Sequence, residues 1–314
     1  MLSSLEYTRS NLKITGKCNY NCSHCYNDSG PESREFMPKN IAFRALELST
    51  QNMVDSPLFF IHYTGGDPLE HPFFEDIVEY GTSLSKKIRT VVSTNDYHFK
   101  EDPGGFKETL EFLKNNRLLF IGFNSDLIYR NGSEKRLEEL KRFCIENNVN
   151  PVFREPFDGK DYKPFYMGRA INNLGIEGCD TKTKSRCDEA IITSCLDIHG
   201  VVHRNIHITF NERGNVQYCN FCDFNIDGNP TVEDSNDKII EKILNDPVRD
   251  LVTKENGLTE FFKIASSVTT KYDTIPPNCA RFRAIQKDHR LLEKIKNFIV
   301  DRSGLEPETS TLRR

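Results

Sequence analysis

Through the first half of the chain, apolar positions fall into two alternating patterns. Short runs dense in apolar residues occur at Asn11–Thr15, Leu58–Tyr63, Thr90–Ser93, Leu118–Phe123 and Pro151–Arg154. Between them lie longer stretches whose apolar residues recur every three or four positions. The runs read as strands, and the stretches as helices over about 39–53, 74–86, 106–115 and 134–146. Ile41, Ala45, Leu46 and Leu48 line one face of the first helix, and Leu137, Leu140 and Cys144 one side of the last. Strand, helix, strand in repeated order with short links predicts a parallel sheet wrapped by helices, each crossover right-handed. Five or six such units are too few to close an eight-stranded barrel and enough for an open partial one.

The pattern changes near Asn172. Between Gly178 and Cys222 stand five cysteines and a predicted hairpin, Ile206–Phe210 turning at Arg213-Gly214. Lys238 to about Ser266 reads as helical with a break at Pro247, and Phe282–Val300 as one amphipathic helix. The tail from Ser303 is polar. The predicted architecture is α/β, a partial (β/α)6 TIM-like barrel over residues 1–175. A Cys-rich α+β region follows over 176–285, then a terminal helix and flexible tail over 286–314.

Charge narrows the choice of partners. Among 314 residues, 42 Lys and Arg face 46 Asp and Glu, a net charge of −4, so no basic face argues for nucleic acid. No apolar run is long enough to span a membrane, and the polar start Met-Leu-Ser-Ser-Leu-Glu-Tyr does not have the form of a secretion signal. A cytoplasmic chain keeps its thiols reduced, so the ten cysteines read as metal ligands rather than as a disulfide framework.

Directly after the first strand comes Cys18-Asn19-Tyr20-Asn21-Cys22-Ser23-His24-Cys25, a C-x3-C-x2-C run. Three thiolates on one loop can wrap one inorganic centre and leave a corner of it open for a further ligand. A structural zinc site completed by His24, or by a distant histidine such as His62, is the plainer alternative. Tyr63-Thr64-Gly65-Gly66-Asp67-Pro68 ends the second strand; its glycines permit close backbone approach, and its carboxylate can accept from an ammonium group. Val92-Ser93-Thr94-Asn95 and Phe123-Asn124-Ser125-Asp126 end the third and fourth strands, where parallel sheets bind ligands.

These segments, over roughly residues 10–160, resemble the radical S-adenosylmethionine (radical SAM) superfamily. Its signature is C-x3-C-x-Φ-C, with His24 here at the usually aromatic position, followed by a Gly-Gly-Glu-Pro motif that carries Asp67 in this chain. The resemblance implies a catalytic 4Fe–4S cluster on Cys18, Cys22 and Cys25. S-adenosylmethionine would be bound by His24, Gly65, Gly66, Asp67, Ser93, Asn95, Asn124 and Arg154. It implies reductive cleavage of that cofactor to a 5′-deoxyadenosyl radical, which abstracts a hydrogen atom from substrate. An electron donor such as flavodoxin or ferredoxin would supply the electron.

Gly214-Asn215-Val216-Gln217-Tyr218-Cys219 resembles the opening of the auxiliary-cluster region called SPASM, or twitch in its shorter form. Too few cysteines remain for two further clusters, so one is expected, on Cys195, Cys219, Cys222 and Cys279 with Cys187 as an alternate. The same cysteines could bind zinc. Cys179 and Cys187 are candidate hydrogen-atom donors, and Cys144 reads as a small core residue. His199, His203 and His207 recur every fourth residue, but Gly200 and β-branched neighbours argue against a helical metal stripe. Relatives with such a region mostly modify peptides, so the expected substrate is a ribosomally made peptide, epimerised or crosslinked. Dehydrogenation of a small metabolite or sugar alcohol is the alternative. A non-catalytic zinc or iron–sulfur protein is the reading from another class.

Overall fold

Strand β1, Tyr7–Thr15, alternates Asn11, Lys13 and Thr15 with Leu12 and Ile14, and successive side chains of a strand point to opposite faces. In the computed structural model both rows are buried, so the strand is covered on both sides. The structure describes residues 7–25, 27–51, 58–123, 134–153, 192–196, 202–206, 208–214, 216–217, 238, 246–252, 256–275, 279–286 and 288–303. The expectations for Asn124, Arg154, Cys179, Cys187, Cys219 and Cys222 lie outside these residues.

Beside β1 runs β2 (Leu58–Gly65), then β3 (Ile88–Thr94), β4 (Leu118–Phe123) and β5 (Pro151–Phe153), every neighbouring pair parallel. Helices α1 (Lys39–Gln51), α2 (Phe74–Leu84), α3 (Tyr97–Glu101), α4 (Pro103–Asn115) and α5 (Glu134–Glu146) fall between them. The face bearing Leu12, Ile61, Tyr63, Val92 and Ile121 joins one apolar core with Leu46 of α1, Ile77 of α2 and Leu110 of α4. Each fully buried Leu, Ile or Phe of this kind is worth about 1.5–3 kcal/mol. Cys144 of α5 is wholly buried in the same core, as a small apolar group.

Strands β6 (Ile192–Leu196) and β7 (Val202–Ile206) form a separate antiparallel ladder that sets Cys195 opposite His203. The sixth parallel strand is β8 (Ile208–Phe210), which pairs with β1 at the edge opposite β5. Strand β9 (Val216–Gln217) returns antiparallel on β8, giving the sheet order β5-β4-β3-β2-β1-β8-β9. The turn is therefore the predicted one, but Ile206 belongs to the other ladder. A strand from within 176–285 thus enters the main sheet. Its apolar residue Phe210 pairs in register with Leu12 and is itself fully buried.

Later helices differ from their predicted extents where a cap restarts the chain. Helix α4 begins three residues earlier than predicted, because the Asp102 carboxylate accepts the Gly105 N–H at 3.0 Å and Pro103 occupies the first turn. Pro247 opens a short helix, α6 (Pro247–Val252), capped by Asp246, and α7 (Gly257–Val268) follows a left-handed Asn256. The single helix predicted over 282–300 is two, α8 (Cys279–Gln286) and α9 (His289–Ser303). Asp288 separates them by accepting the Leu291 N–H at 3.2 Å. Cys279 stands at the first position of α8.

Candidate functional site

At the carboxyl end of β1 the chain leaves the sheet as a loop closed at its base. Gly16 N–H donates to Glu35 O at 2.8 Å, Gly30 N–H to Gly16 O at 3.3 Å, and Cys18 N–H to Gly30 O at 3.2 Å. Within the loop, Cys25 N–H reaches Cys22 O at 3.2 Å, and the Cys25 sulfur accepts the Ser29 N–H at 3.4 Å. Cys18, Cys22, Cys25 and His24 are all half-buried on this one loop.

The two glycines at the end of β2 hold the loop from beside it. Gly66 N–H donates to Thr15 O at 2.6 Å and Asp67 N–H to Lys17 O at 2.7 Å. A Cβ on Gly66 would stand 2.1 Å from Lys17 O, and one on Gly65, whose φ is +135°, 2.2 Å from Thr15 O. What these glycines approach closely in this structure is the backbone leading into Cys18. Side chains complete the stitching: Asn27 Nδ2 donates to Gly65 O at 2.8 Å and Asn19 Nδ2 to Glu70 Oε1 at 2.7 Å. Lys17 Nζ pairs with Glu70 Oε2 at 3.3 Å, and Asn95 Nδ2 lies 3.6 Å from the Cys18 sulfur.

Asp67 is fully buried, and its carboxylate accepts the Thr94 hydroxyl at 2.8 and 3.0 Å and the Leu69 N–H at 3.1 Å. His98 Nε2 stands 3.9 Å from Asp67 and 3.2 Å from Glu70. Burial raises the Asp67 carboxyl above its usual range, against the pull of His98 and of the two hydrogen-bond donors. On the far side of the loop, Tyr20 O–H donates to Asp96 Oδ1 at 2.9 Å, and Arg136 Nε of α5 to Asp96 Oδ2 at 2.6 Å.

Burial, the nearby Asp67 charge and the neighbouring sulfurs of Cys22 and Cys25 push the Cys18 thiol up to about 12. Bare thiolates here would repel one another and Asp67, so the loop asks for a positively charged centre. Among the described residues, no three His, Cys, Asp or Glu side chains gather closely enough to hold a metal ion. A cluster spreads its thiolates over different irons and leaves one iron open to a further ligand. Three soft donors on one half-buried loop fit a cluster.

Ser93 lies on the sheet face opposite the one packed against the helices. Asn11, His62 and Ser93 form a hydrogen-bonded row there, and Lys13 is buried on the same strand face as Asn11. Asn11, Lys13, Glu70, Asp96 and Thr209 join the site without belonging to any of its sequence motifs. The polar alternation of Asn11, Lys13 and Thr15 was the signal for the first two, since a strand buried on both faces with polar residues on one must turn them toward something polar.

Residues 12–143 match the family model described as the radical SAM superfamily. These residues form a radical SAM domain. Over 118 residues the chain is 26% identical to the antilisterial bacteriocin subtilosin biosynthesis protein AlbA of Bacillus subtilis strain 168, covering 37% of this chain and 24% of that protein. Over 159 residues it is 25% identical to a GTP 3′,8-cyclase of Helicobacter pylori strain J99, covering 47% of each. The chain thus spans less than half the length of these two curated relatives. Its fold is similar to the crystal structure of BtrN in complex with AdoMet and 2-DOIA, with a TM-score of 0.53 at 13% identity, over 82% of this chain and 90% of that one. The radical SAM domain implies a 4Fe–4S cluster and S-adenosylmethionine. Among the described residues no helix is long and apolar enough to cross a membrane.

Proposed function

We propose that the chain is a radical SAM enzyme that takes a hydrogen atom from a ribosomally made peptide. The observation that carries the radical reading is the convergence on one loop of Cys18, Cys22 and Cys25 with the Gly65-Gly66-Asp67 strand end and Asn95. When bound, the cluster and S-adenosylmethionine supply a reductive cleavage that delivers a 5′-deoxyadenosyl radical to substrate. The chain's own part is positioning. Cys18, Cys22 and Cys25 hold the cluster, and Gly65 and Gly66 fix the loop that carries them. Asn95 sets its amide against the Cys18 sulfur, and Asp67 is held rigid by Thr94 and Leu69. His24 and the half-buried Gly65 and Gly66 would face the cofactor.

The peptide reading is supported by the relative named for bacteriocin biosynthesis. An auxiliary cluster on Cys195, Cys219, Cys222 and Cys279, an electron donor of the flavodoxin or ferredoxin type, and the boundaries at 175 and 285 belong to the same proposal. Anaerobic reconstitution followed by reduction tests it. Wild-type chain should bind iron and sulfide and release 5′-deoxyadenosine, and the triple variant Cys18→Ala, Cys22→Ala, Cys25→Ala should release none. Equal product from both, or zinc in place of iron with no turnover, sinks the enzyme reading. Mass change or solvent-deuterium uptake in a short peptide encoded beside this chain then tests the substrate.

A further inference from the structure

Three neighbouring strands set Asn11, His62 and Ser93 side by side on the inner face of the sheet. His62 Nε2 lies 2.7 Å from Ser93 Oγ, and His62 Nδ1 lies 2.9 Å from Asn11 Oδ1. Asn11 Nδ2 donates to the Thr209 hydroxyl at 3.4 Å, which directs Oδ1 toward the ring. A carboxamide oxygen only accepts, so the ring proton sits on Nδ1. With the ring neutral, Nε2 is the acceptor, and its partner is the Ser93 hydroxyl. Asn11 is wholly buried, whereas the His62 ring and Ser93 are half-buried. Hydroxyl, imidazole and a buried orienting group in this order are the arrangement that makes a serine oxygen basic. Ser93 also lies two residues before Asn95, the residue against the Cys18 sulfur.

We propose that Ser93 and His62 form a proton relay, oriented by Asn11, for a substrate bound on the inner face that carries an O–H, S–H or N–H beside its reacting carbon. The substrate's heteroatom–hydrogen bond breaks, the proton passes to Ser93 Oγ, and the proton Ser93 held passes to His62 Nε2. Ser93 is unchanged, the imidazole becomes imidazolium, and no electron changes hands. That the client is the substrate of radical chemistry rests on the function proposed above; the basicity of Ser93 does not. Asn11 is a positioning residue, since it acts only through the ring.

The test needs no substrate. The anaerobically reconstituted full chain is treated with diisopropyl fluorophosphate, and adducts are mapped by peptide mass spectrometry. Ser93 should be modified at least about 100-fold faster than in His62→Gln, the usual contribution of a positioned general base. No adduct at Ser93, or equal rates in the two proteins, overturns the relay. Because His62→Gln alters a strand, the unaltered chain provides an independent reading. Nitrogen NMR of the chain labelled at histidine should show His62 protonated at Nδ1 and bare at Nε2, and the opposite tautomer overturns the assignment. Ser93 labelling without 5′-deoxyadenosine from the wild type keeps the relay and sinks the radical client. Product formation with an inert Ser93 does the reverse.

Discussion

Replacing Gly66 by Ala tests what holds the cysteine loop in place. The new Cβ would stand 2.1 Å from Lys17 O, 2.6 Å from Lys17 C and 2.9 Å from Gly16 O. All three are backbone atoms, so no side chain can swing aside, and the end of β2 must retreat by about 1 Å to reach ordinary contact. That retreat strains or breaks the bonds from Gly66 N–H to Thr15 O and from Asp67 N–H to Lys17 O. Each is worth about 0.5–1.5 kcal/mol, and the overpacking itself costs about 1–3 kcal/mol. The variant should therefore lose about 2–6 kcal/mol in urea unfolding of the cluster-free chain. Its cluster, once reconstituted, should also release iron to a chelator faster, because the strand that retreats is the one bonded to Lys17, next to Cys18. A Gly66→Ala chain within about 0.5 kcal/mol of wild type, with unchanged iron release, would refute the view that these glycines serve backbone contact.

Thr94→Val removes the hydroxyl from a fully buried carboxylate while keeping its shape; a loss of about 1–3 kcal/mol in urea unfolding is expected, and no loss would show Asp67 satisfied without it. His71 is buried as the neutral ring, with Nε2–H donating to Met37 O at 2.9 Å and Nδ1 accepting the Phe73 N–H at 3.1 Å. Burial lowers its affinity for a proton below the ordinary 6.5, so the unfolded chain binds more protons below that pH. Unfolding free energy should hold above pH 6.5 and decline as pH falls below it, by at most about 1.4 kcal/mol per pH unit, and His71→Gln should flatten that slope. Cys144, pushed up to about 12 by burial against an ordinary 9.0, should alkylate with iodoacetamide at pH 8 about a thousandfold more slowly than a free thiol. Alkylation of the native chain at the ordinary rate would contradict its place in the core.

Much of the scaffold was legible before the structure. Strand Leu118–Phe123 and helix Glu134–Glu146 have their predicted bounds, because each carries its apolar period without a competing cap. Boundaries slipped where one polar side chain decides them: Asp102 starts α4 ahead of its glycines, and Asp288 divides a helix whose apolar period runs straight through. Of the site, the C-x3-C-x2-C loop and the Gly-Gly-Asp strand end could be read, since their residues are close in sequence or bound to a recognisable spacing. Glu70, Asp96 and Thr209 could not, because nothing in their neighbourhoods marks an isolated acid or hydroxyl as a partner of Asn19, Tyr20 or Asn11.

By itself, then, the sequence determined the parallel α/β frame, the cysteine loop after the first strand and the chemistry that loop invites. Those are local properties, carried by periodicity and spacing. Only the tertiary structure decided that Gly65 and Gly66 press on the backbone of the cysteine loop, and that Ile208–Phe210 joins β1 rather than following β5. It alone brought Asn11, His62 and Ser93 into one hydrogen-bonded row. The physical reason is strand register: residues 51 and 31 positions apart become neighbours only when parallel strands pair, and no local pattern encodes which polar side chains will then face each other.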